Sequence, residues 1–190
     1  MRKLTFVLAL FGSCFVAGAQ STAFKPFKVD LAFGYAMPGG SGSKGGVLFA
    51  IEPKYGINDN ITLGLRMEAA VTARGAVDNN GEKVTGEVKA SGSYLLTGDY
   101  FFNTNKFRPF AGVGAGLYKL AGAKFDSDVE MSEDDIQTGS KFGFAPRVGF
   151  EYGHFRTAIE YNAVGKTGSI NNNYLGIKLG FFIGGGRLSK

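Results

Sequence analysis

His154, the sole histidine of the chain, is the one side chain whose ordinary pKa suits proton transfer near neutral pH. To activate a nucleophile it would need a serine hydroxyl on one side and an orienting carboxylate on the other. It stands instead between Gly153 and Phe155 in a tight connection. The serines Ser140 and Ser169 fall in segments at the far ends of the neighbouring strands, a membrane's thickness away. A lipid-modifying enzyme would need its Ser, His and acid together at that far end, and no such set is written here, so the chain is read as not an enzyme. The densest acidic stretch, Asp126, Asp128, Glu130, Glu133, Asp134 and Asp135, opens with the spacing of a calcium loop. Met131 replaces the glycine that such a loop requires and Gln137 the closing glutamate. A solvated acidic loop is the expectation. Asp126, Asp128 and Glu130 are cation-loop candidates only, with no metal site and no cofactor expected. The glycine-rich Gly39–Gly46 lacks the strand–helix context of a phosphate loop.

The larger constellation is one of paired charges. Lys28, Asp30, Glu52, Lys54, Arg66, Glu68, Asp99, Arg108, Lys141, Arg147, Glu151, Arg156, Glu160 and Lys178 all alternate with large apolar residues. Charges of both signs on one face are costly unless paired, so a hydrogen-bonded network is expected, with an ion or proton path as the functional alternative.

The elements that must carry them are strands of period two. In Phe27–Met37 the residues Phe27, Val29, Leu31, Phe33, Tyr35 and Met37 alternate with Lys28, Asp30, Ala32, Gly34 and Ala36. Val47–Tyr55 and Ile61–Val71 repeat the pattern, as do stretches around Tyr94–Phe102, Phe107–Leu117, Lys141–Tyr152, Phe155–Asn162 and Leu175–Ile183. Eight strands result, each near the nine to eleven residues that a tilted strand needs to cross a bilayer. Connections after the even strands are tight: Ile57–Asn60, Asn103–Lys106 and Gly153-His154. Those after the odd strands are long: Pro38–Gly46, Thr72–Glu87, Leu120–Ser140 and Gly165–Asn172. Alternating short turns and long loops predict an all-β, eight-stranded antiparallel up-and-down transmembrane β-barrel, with turns and both termini periplasmic and loops extracellular.

The direction of the apolar face separates this from a soluble ligand-binding barrel. Roughly 35 large apolar or aromatic side chains share one face, and an eight-stranded lumen is barely wide enough for ordinary side chains. The other face interleaves glycines with Arg and Lys, which suits a narrow interior. Flipping the register would expose Arg66, Arg147 and Arg156 to lipid at about 2–4 kcal/mol each. Phe27, Tyr55, Tyr100, Phe102, Phe107, Tyr152, Phe155 and Phe181 gather near the short-turn ends as one interfacial girdle.

The first nineteen residues form a separate segment. Arg2 and Lys3 precede the apolar run Leu4–Val16, and Ala17-Gly18-Ala19 provides a small-x-small cleavage site. Residues 1–19 are therefore expected to be a signal peptide cut between Ala19 and Gln20, leaving 20–190 as one barrel domain with strands over about 27–184 and a tail at 185–190. Cys14 offers a lipidated N-terminus as the alternative, although no leucine stands three residues before it. Cleavage after Ala19 removes the only cysteine and two of 21 basic residues, leaving 19 against 16 acidic ones and a net charge of +3. Disulfides are then excluded, and a dispersed charge in an exported chain gives no reason to expect nucleic acid. Mean hydropathy is zero, and beyond the N-terminus no apolar run reaches 18 residues, so any membrane crossing must use strands.

The runs Glu52-Pro53-Lys54-Tyr55-Gly56, Gly98-Asp99-Tyr100-Phe101-Phe102, Arg108–Gly114 and Tyr174–Phe182 resemble the outer membrane protein beta-barrel domain family, over about residues 27–184. Its members are small OmpA/OmpX-like eight-stranded barrels, common in Bacteroidota. The resemblance implies a Gram-negative cell-envelope protein of the outer membrane with a structural or surface-interaction role. A narrow porin-like channel for small solutes is the alternative. It further implies contact with outer-membrane lipid and lipopolysaccharide, handling by the barrel assembly machinery, and a monomeric state. The extracellular ligand is left open. One departure is the ending Gly184–Lys190 after Phe182, where family barrels often finish on an aromatic residue.

Overall fold

The computed structural model describes residues 23–39, 43–77, 84–125, 136–167 and 170–188. The expected signal peptide, its cleavage site at Ala19 and Gln20, and the acidic residues Asp126, Asp128 and Glu130 lie outside them. The strands are β1 (Phe27–Pro38), β2 (Ser43–Gly56), β3 (Ile61–Val77), β4 (Val84–Phe101), β5 (Phe107–Phe125), β6 (Ile136–Tyr152), β7 (Phe155–Asn162), β8 (Lys166–Thr167), β9 (Ile170–Asn171) and β10 (Tyr174–Gly184). Eight of them close a barrel in the order β1-β10-β7-β6-β5-β4-β3-β2, and every neighbouring pair is antiparallel. Closure leaves the membrane-spanning ladder without an edge, which is what lets a sheet cross hydrocarbon. The short β8 and β9 form a two-stranded sheet of their own, inside the connection expected over Gly165–Asn172.

Alternation sets the two faces. Phe33, Val47, Leu96, Phe142 and Ile183 point outward and are 61–73% exposed, whereas Lys54, Arg66, Asp99, Glu151 and Glu160 point inward and are at most 2% exposed. A water-soluble protein would not leave so continuous an apolar belt uncovered. The girdle aromatics Phe27, Tyr55, Tyr100, Phe102, Phe107, Tyr152, Phe155 and Phe181 are all exposed. Phe27 pairs with Tyr55, and Tyr152 pairs with both Phe107 and Phe155.

Two expected loops prove much shorter than the sequence implies. β3 and β4 stay paired out to Val77 and Val84, and β5 and β6 out to Ala123 and Ile136, so most of Thr72–Glu87 and Leu120–Ser140 is strand. The added stretches carry Ala73, Gly75, Ala76, Ala121, Gly122 and Ala123. These residues are too small to mark an apolar face, yet the backbone hydrogen bonds of the hairpins continue regardless. β2 likewise begins at Ser43, with a register shift between Lys44 and Val47. There Gly46 lies so close to Val71 that a Cβ would fall 1.8 Å from its carbonyl oxygen.

Both described chain ends come back to the short-turn end and join. Phe24 bridges Arg187, the Lys25 amide donates to the Gly186 carbonyl at 2.9 Å, and the Leu188 amide donates to the Ala23 carbonyl at 2.9 Å. Gly184 and Gly185 turn the chain out of β10 with φ of 80° and 61°, a region costly for residues with a Cβ.

Candidate functional site: the charged lumen

The period-two pattern sends every second residue of all eight barrel strands into a space of side-chain width, so charges distant in sequence must meet there. Thirteen of the fourteen charges named from the sequence are buried inside: Lys28, Asp30, Glu52, Lys54, Arg66, Glu68, Asp99, Arg108, Arg147, Glu151, Arg156, Glu160 and Lys178. Lys141 stands apart at the long-loop end, where its Nζ donates to the Lys166 carbonyl.

The charges are layered along the barrel axis. Nearest the short turns, Glu151 pairs with Lys28, accepts from Arg156 Nη1 at 2.7 Å and lies 3.6 Å from Arg108. In the middle, Asp99 accepts from Lys54 at 2.8 Å, Arg147 Nε at 2.7 Å and Arg156 Nη2 at 2.9 Å. Arg147 also donates to both Glu52 oxygens, at 2.8 and 3.0 Å, while the Thr97 hydroxyl donates to Glu52 at 2.5 Å. Asp30 lies 2.7 Å from Lys54 and 3.3 Å from Arg156, held by charge without an aligned hydrogen bond. Gly112 keeps this layer closed: a Cβ there would sit 2.1 Å from Asp99 Oδ1.

A second layer follows toward the long loops. Arg66 pairs with Glu160, Lys178 donates to Glu160 at 2.6 Å and pairs with Glu68, and the Tyr174 hydroxyl donates to Glu68 at 2.6 Å. Arg66 also donates to Asn162 at 3.0 Å and Ser93 at 3.1 Å, and the Tyr118 hydroxyl donates to Asn162 at 2.7 Å. A 3.6 Å contact between Arg147 and Glu160 links the layers.

Apolar residues bound the network at both ends. Toward the long loops lies a buried cluster that includes Ala36, Leu48, Ala70, Leu95, Ala145 and Val164. Toward the short turns, Phe101 and Phe110 pack at 5.5 Å between ring centres. Cations stack on these rings: Lys28 over Phe182 at 4.4 Å, Arg156 over Phe110 at 3.8 Å, and Arg108 between Phe101 at 4.0 Å and Phe24 at 3.9 Å. Arg108 also donates to the Asp59 carbonyl at 2.6 Å.

The neutral members of the network, Ser93, Thr97, Tyr118, Asn162 and Tyr174, were not distinguished as binding residues by sequence. Their inward parity was visible for four of them. Tyr174 fell one residue before the strand start expected at Leu175, although it shares parity with Gly176 and Lys178. His154 is exposed in its turn, with Nδ1 2.8 Å from the Phe182 carbonyl and its ring against Phe182 at 5.0 Å. The partners of its ring among the described residues are the Phe182 carbonyl and ring, with no serine or carboxylate. Among the described residues no cluster of His, Cys, Asp or Glu has the arrangement to hold a metal.

The sequence matches the family described as "Outer membrane protein beta-barrel domain" over residues 6–182. No curated protein matches it. Among solved structures, Neisserial surface protein A is 18% identical, with a TM-score of 0.57 over 83% of this chain and 96% of that one. The outer membrane protein OprG from Pseudomonas aeruginosa is 14% identical, with a TM-score of 0.51 over 90% of this chain and 99% of that one. At such identities the likeness is one of fold.

Proposed function

Because the chain belongs to the outer membrane protein beta-barrel domain family, we propose that it serves as a non-enzymatic outer-membrane barrel, closed to solutes, that meets its partners at the long-loop end. The observation that carries this reading is the pair of ties across the lumen. Arg147 on β6 reaches Glu52 on β2, and Arg66 on β3 reaches Glu160 on β7. Each pair lies four strands apart in either direction round the barrel, hence on opposite walls. A permeating ion would have to part both ties and then displace the apolar layers beyond them. Removing one partner from a buried pair costs about 3–5 kcal/mol, so thermal fluctuation alone opens such a path rarely.

Short turns on the periplasmic side, with long connections outside, follow the usual sidedness of such barrels and put both termini in the periplasm. The exposed apolar belt supports contact with lipid tails, and the outward tyrosines Tyr35, Tyr94 and Tyr161 toward the long-loop end suit the lipopolysaccharide headgroup region. The engagement of the His154 imidazole by the Phe182 carbonyl and ring supports a structural role for it.

Planar-bilayer recording of the refolded mature protein tests this directly. No conductance steps are expected over hours of observation. Reproducible steps that disappear with heat-denatured protein would instead establish the narrow solute channel.

A further inference from the structure

At the short-turn end, where the two described chain ends join, the barrel mouth keeps a cavity of about 20 Å³. It lies between the N-terminal segment and the inward residues of β3 and β5, and Phe24, Lys25, Lys28, Asp59, Thr62 and Arg108 contribute to its lining. A water-sized particle needs roughly 10–15 Å³, so the cavity has room for one. Two polar atoms of its lining residues have no hydrogen-bond partner among the described residues. They are Thr62 Oγ1 and Arg108 Nε, on residues only 7% and 6% exposed. The rest of the Arg108 guanidinium is engaged: Nη2 donates to the Asp59 carbonyl at 2.6 Å, Nη1 lies 3.6 Å from Glu151, and the rings of Phe24 and Phe101 stack on it. A buried polar group left without a partner carries its full desolvation penalty, so each of these two atoms calls for an occupant of the cavity.

The chemistry of the wall decides what that occupant is. The Nε–H of arginine only donates and the threonine hydroxyl can turn to donate, so the occupant must accept from both. Lys25, Lys28 and Arg108 bring three positive charges to the lining. Against them stand Asp59 in the lining and Glu151, which pairs with Lys28 and Arg108, so the positive sign is in excess. The Asp59 carboxylate is itself engaged by the chain, its Oδ1 accepting from the Ala23 amide at 3.0 Å. Donors and charge together disfavour a cation and favour an anion over neutral water. We propose that this cavity is a small-anion site, taking a chloride ion or one oxygen of a carboxylate on Thr62 Oγ1 and Arg108 Nε, with Lys25 at its exposed rim. The anion joins β3, β5 and the N-terminal segment, so its binding holds the docked chain end over the short-turn mouth.

The test uses the refolded full mature chain in an uncharged detergent, with sodium chloride as the probe and the chloride NMR line width as the readout. The wild type should broaden the line. Thr62→Val keeps the shape of the side chain and removes its donor, and it should weaken chloride binding about tenfold, as expected for one lost hydrogen bond to a charged partner. Arg108→Lys keeps the charge and removes the Nε donor, and it gives the same measure if Thr62→Val loses heat-modifiable gel mobility. Lys25→Gln should weaken binding less, with an effect that fades as salt is raised. Saturating chloride should raise the urea midpoint of the wild type more than that of Thr62→Val. Sodium formate separates the two sources of the anion: displacement of chloride extends the site to carboxylate oxygens, and chloride left undisturbed confines it to halides. Line broadening no greater for the wild type than for folded Thr62→Val and Arg108→Lys would overturn the proposal and leave water as the occupant.

Discussion

Arg147 on β6 and Glu52 on β2 face each other across the full width of the barrel and are joined by two hydrogen bonds of 2.8 and 3.0 Å, both side chains being less than 10% exposed. A bidentate pair fixes both separation and orientation, so it acts as a strut between opposite walls as well as a charge contact. Its two residues lie 95 apart in sequence.

Breaking the strut from one side should be costly. Arg147→Leu takes from Glu52 its bidentate partner and from Asp99 one of three cations, leaving Lys54 between the two acids and Arg156 on Asp99, a loss of about 3–5 kcal/mol. Glu52→Leu alone removes only one of the two acceptors of Arg147, so it should cost less. The double variant should cost less than the sum of the two, with a coupling of about 0.5–3 kcal/mol. Urea unfolding of the four proteins in lipid vesicles measures this. Strict additivity would mean that the pair does not act as a unit.

At the short-turn end, Arg108 lies between the rings of Phe24 and Phe101, and the N-terminal segment that brings Phe24 is tied down by the Ala23 amide donating to Asp59 at 3.0 Å. Phe24→Ala should lower stability by about 0.5–2 kcal/mol through the lost stacking. Phe24→Leu should recover packing without the stacking. If alanine and leucine unfold at the same urea concentration as phenylalanine, the terminal segment contributes nothing to closing that mouth.

Cleavage between Ala19 and Gln20 would leave only Gln20, Ser21 and Thr22 ahead of that docked segment. The intact mass of protein extracted from membranes should therefore correspond to residues 20–190. A mass matching a lipidated chain starting at Cys14 would replace this assignment.

Strand identity and facing were legible because lipid imposes a strict rule: each large outward residue had to be apolar, and the charges between them had nowhere to go but inward. Arg66, Glu68, Arg147 and Glu151 could be placed in the lumen on parity alone. Which cation meets which anion could not be read, because partners such as Arg66 and Glu160 are set by barrel closure and axial stagger, not by sequence distance. Strand length beyond the bilayer was equally silent. Ala121, Gly122 and Ala123 leave no apolar stripe, and outside the lipid none is needed. The difference between β6, of 17 residues, and β7, of 8, stayed hidden for the same reason.

Leu96 tests the outward face most directly. It is 73% exposed, opposite Leu65 on β3 and Ala115 on β5, near the centre of the apolar belt. In a barrel surrounded by water, replacing so exposed a leucine by arginine should change stability by no more than about 0.5 kcal/mol. In a bilayer the guanidinium must enter hydrocarbon or drag water and headgroups toward it, at about 2–4 kcal/mol near the midplane. The same change at Phe102, in the girdle beside the short turns, should cost at most about 1 kcal/mol for the charge, because the headgroups lie within reach. Measured in vesicles, Leu96→Arg should thus unfold at clearly lower urea than the wild type, and the gap to Phe102→Arg should narrow in bilayers of shorter acyl chain. Equal urea midpoints for Leu96→Arg and the wild type would place the belt in water.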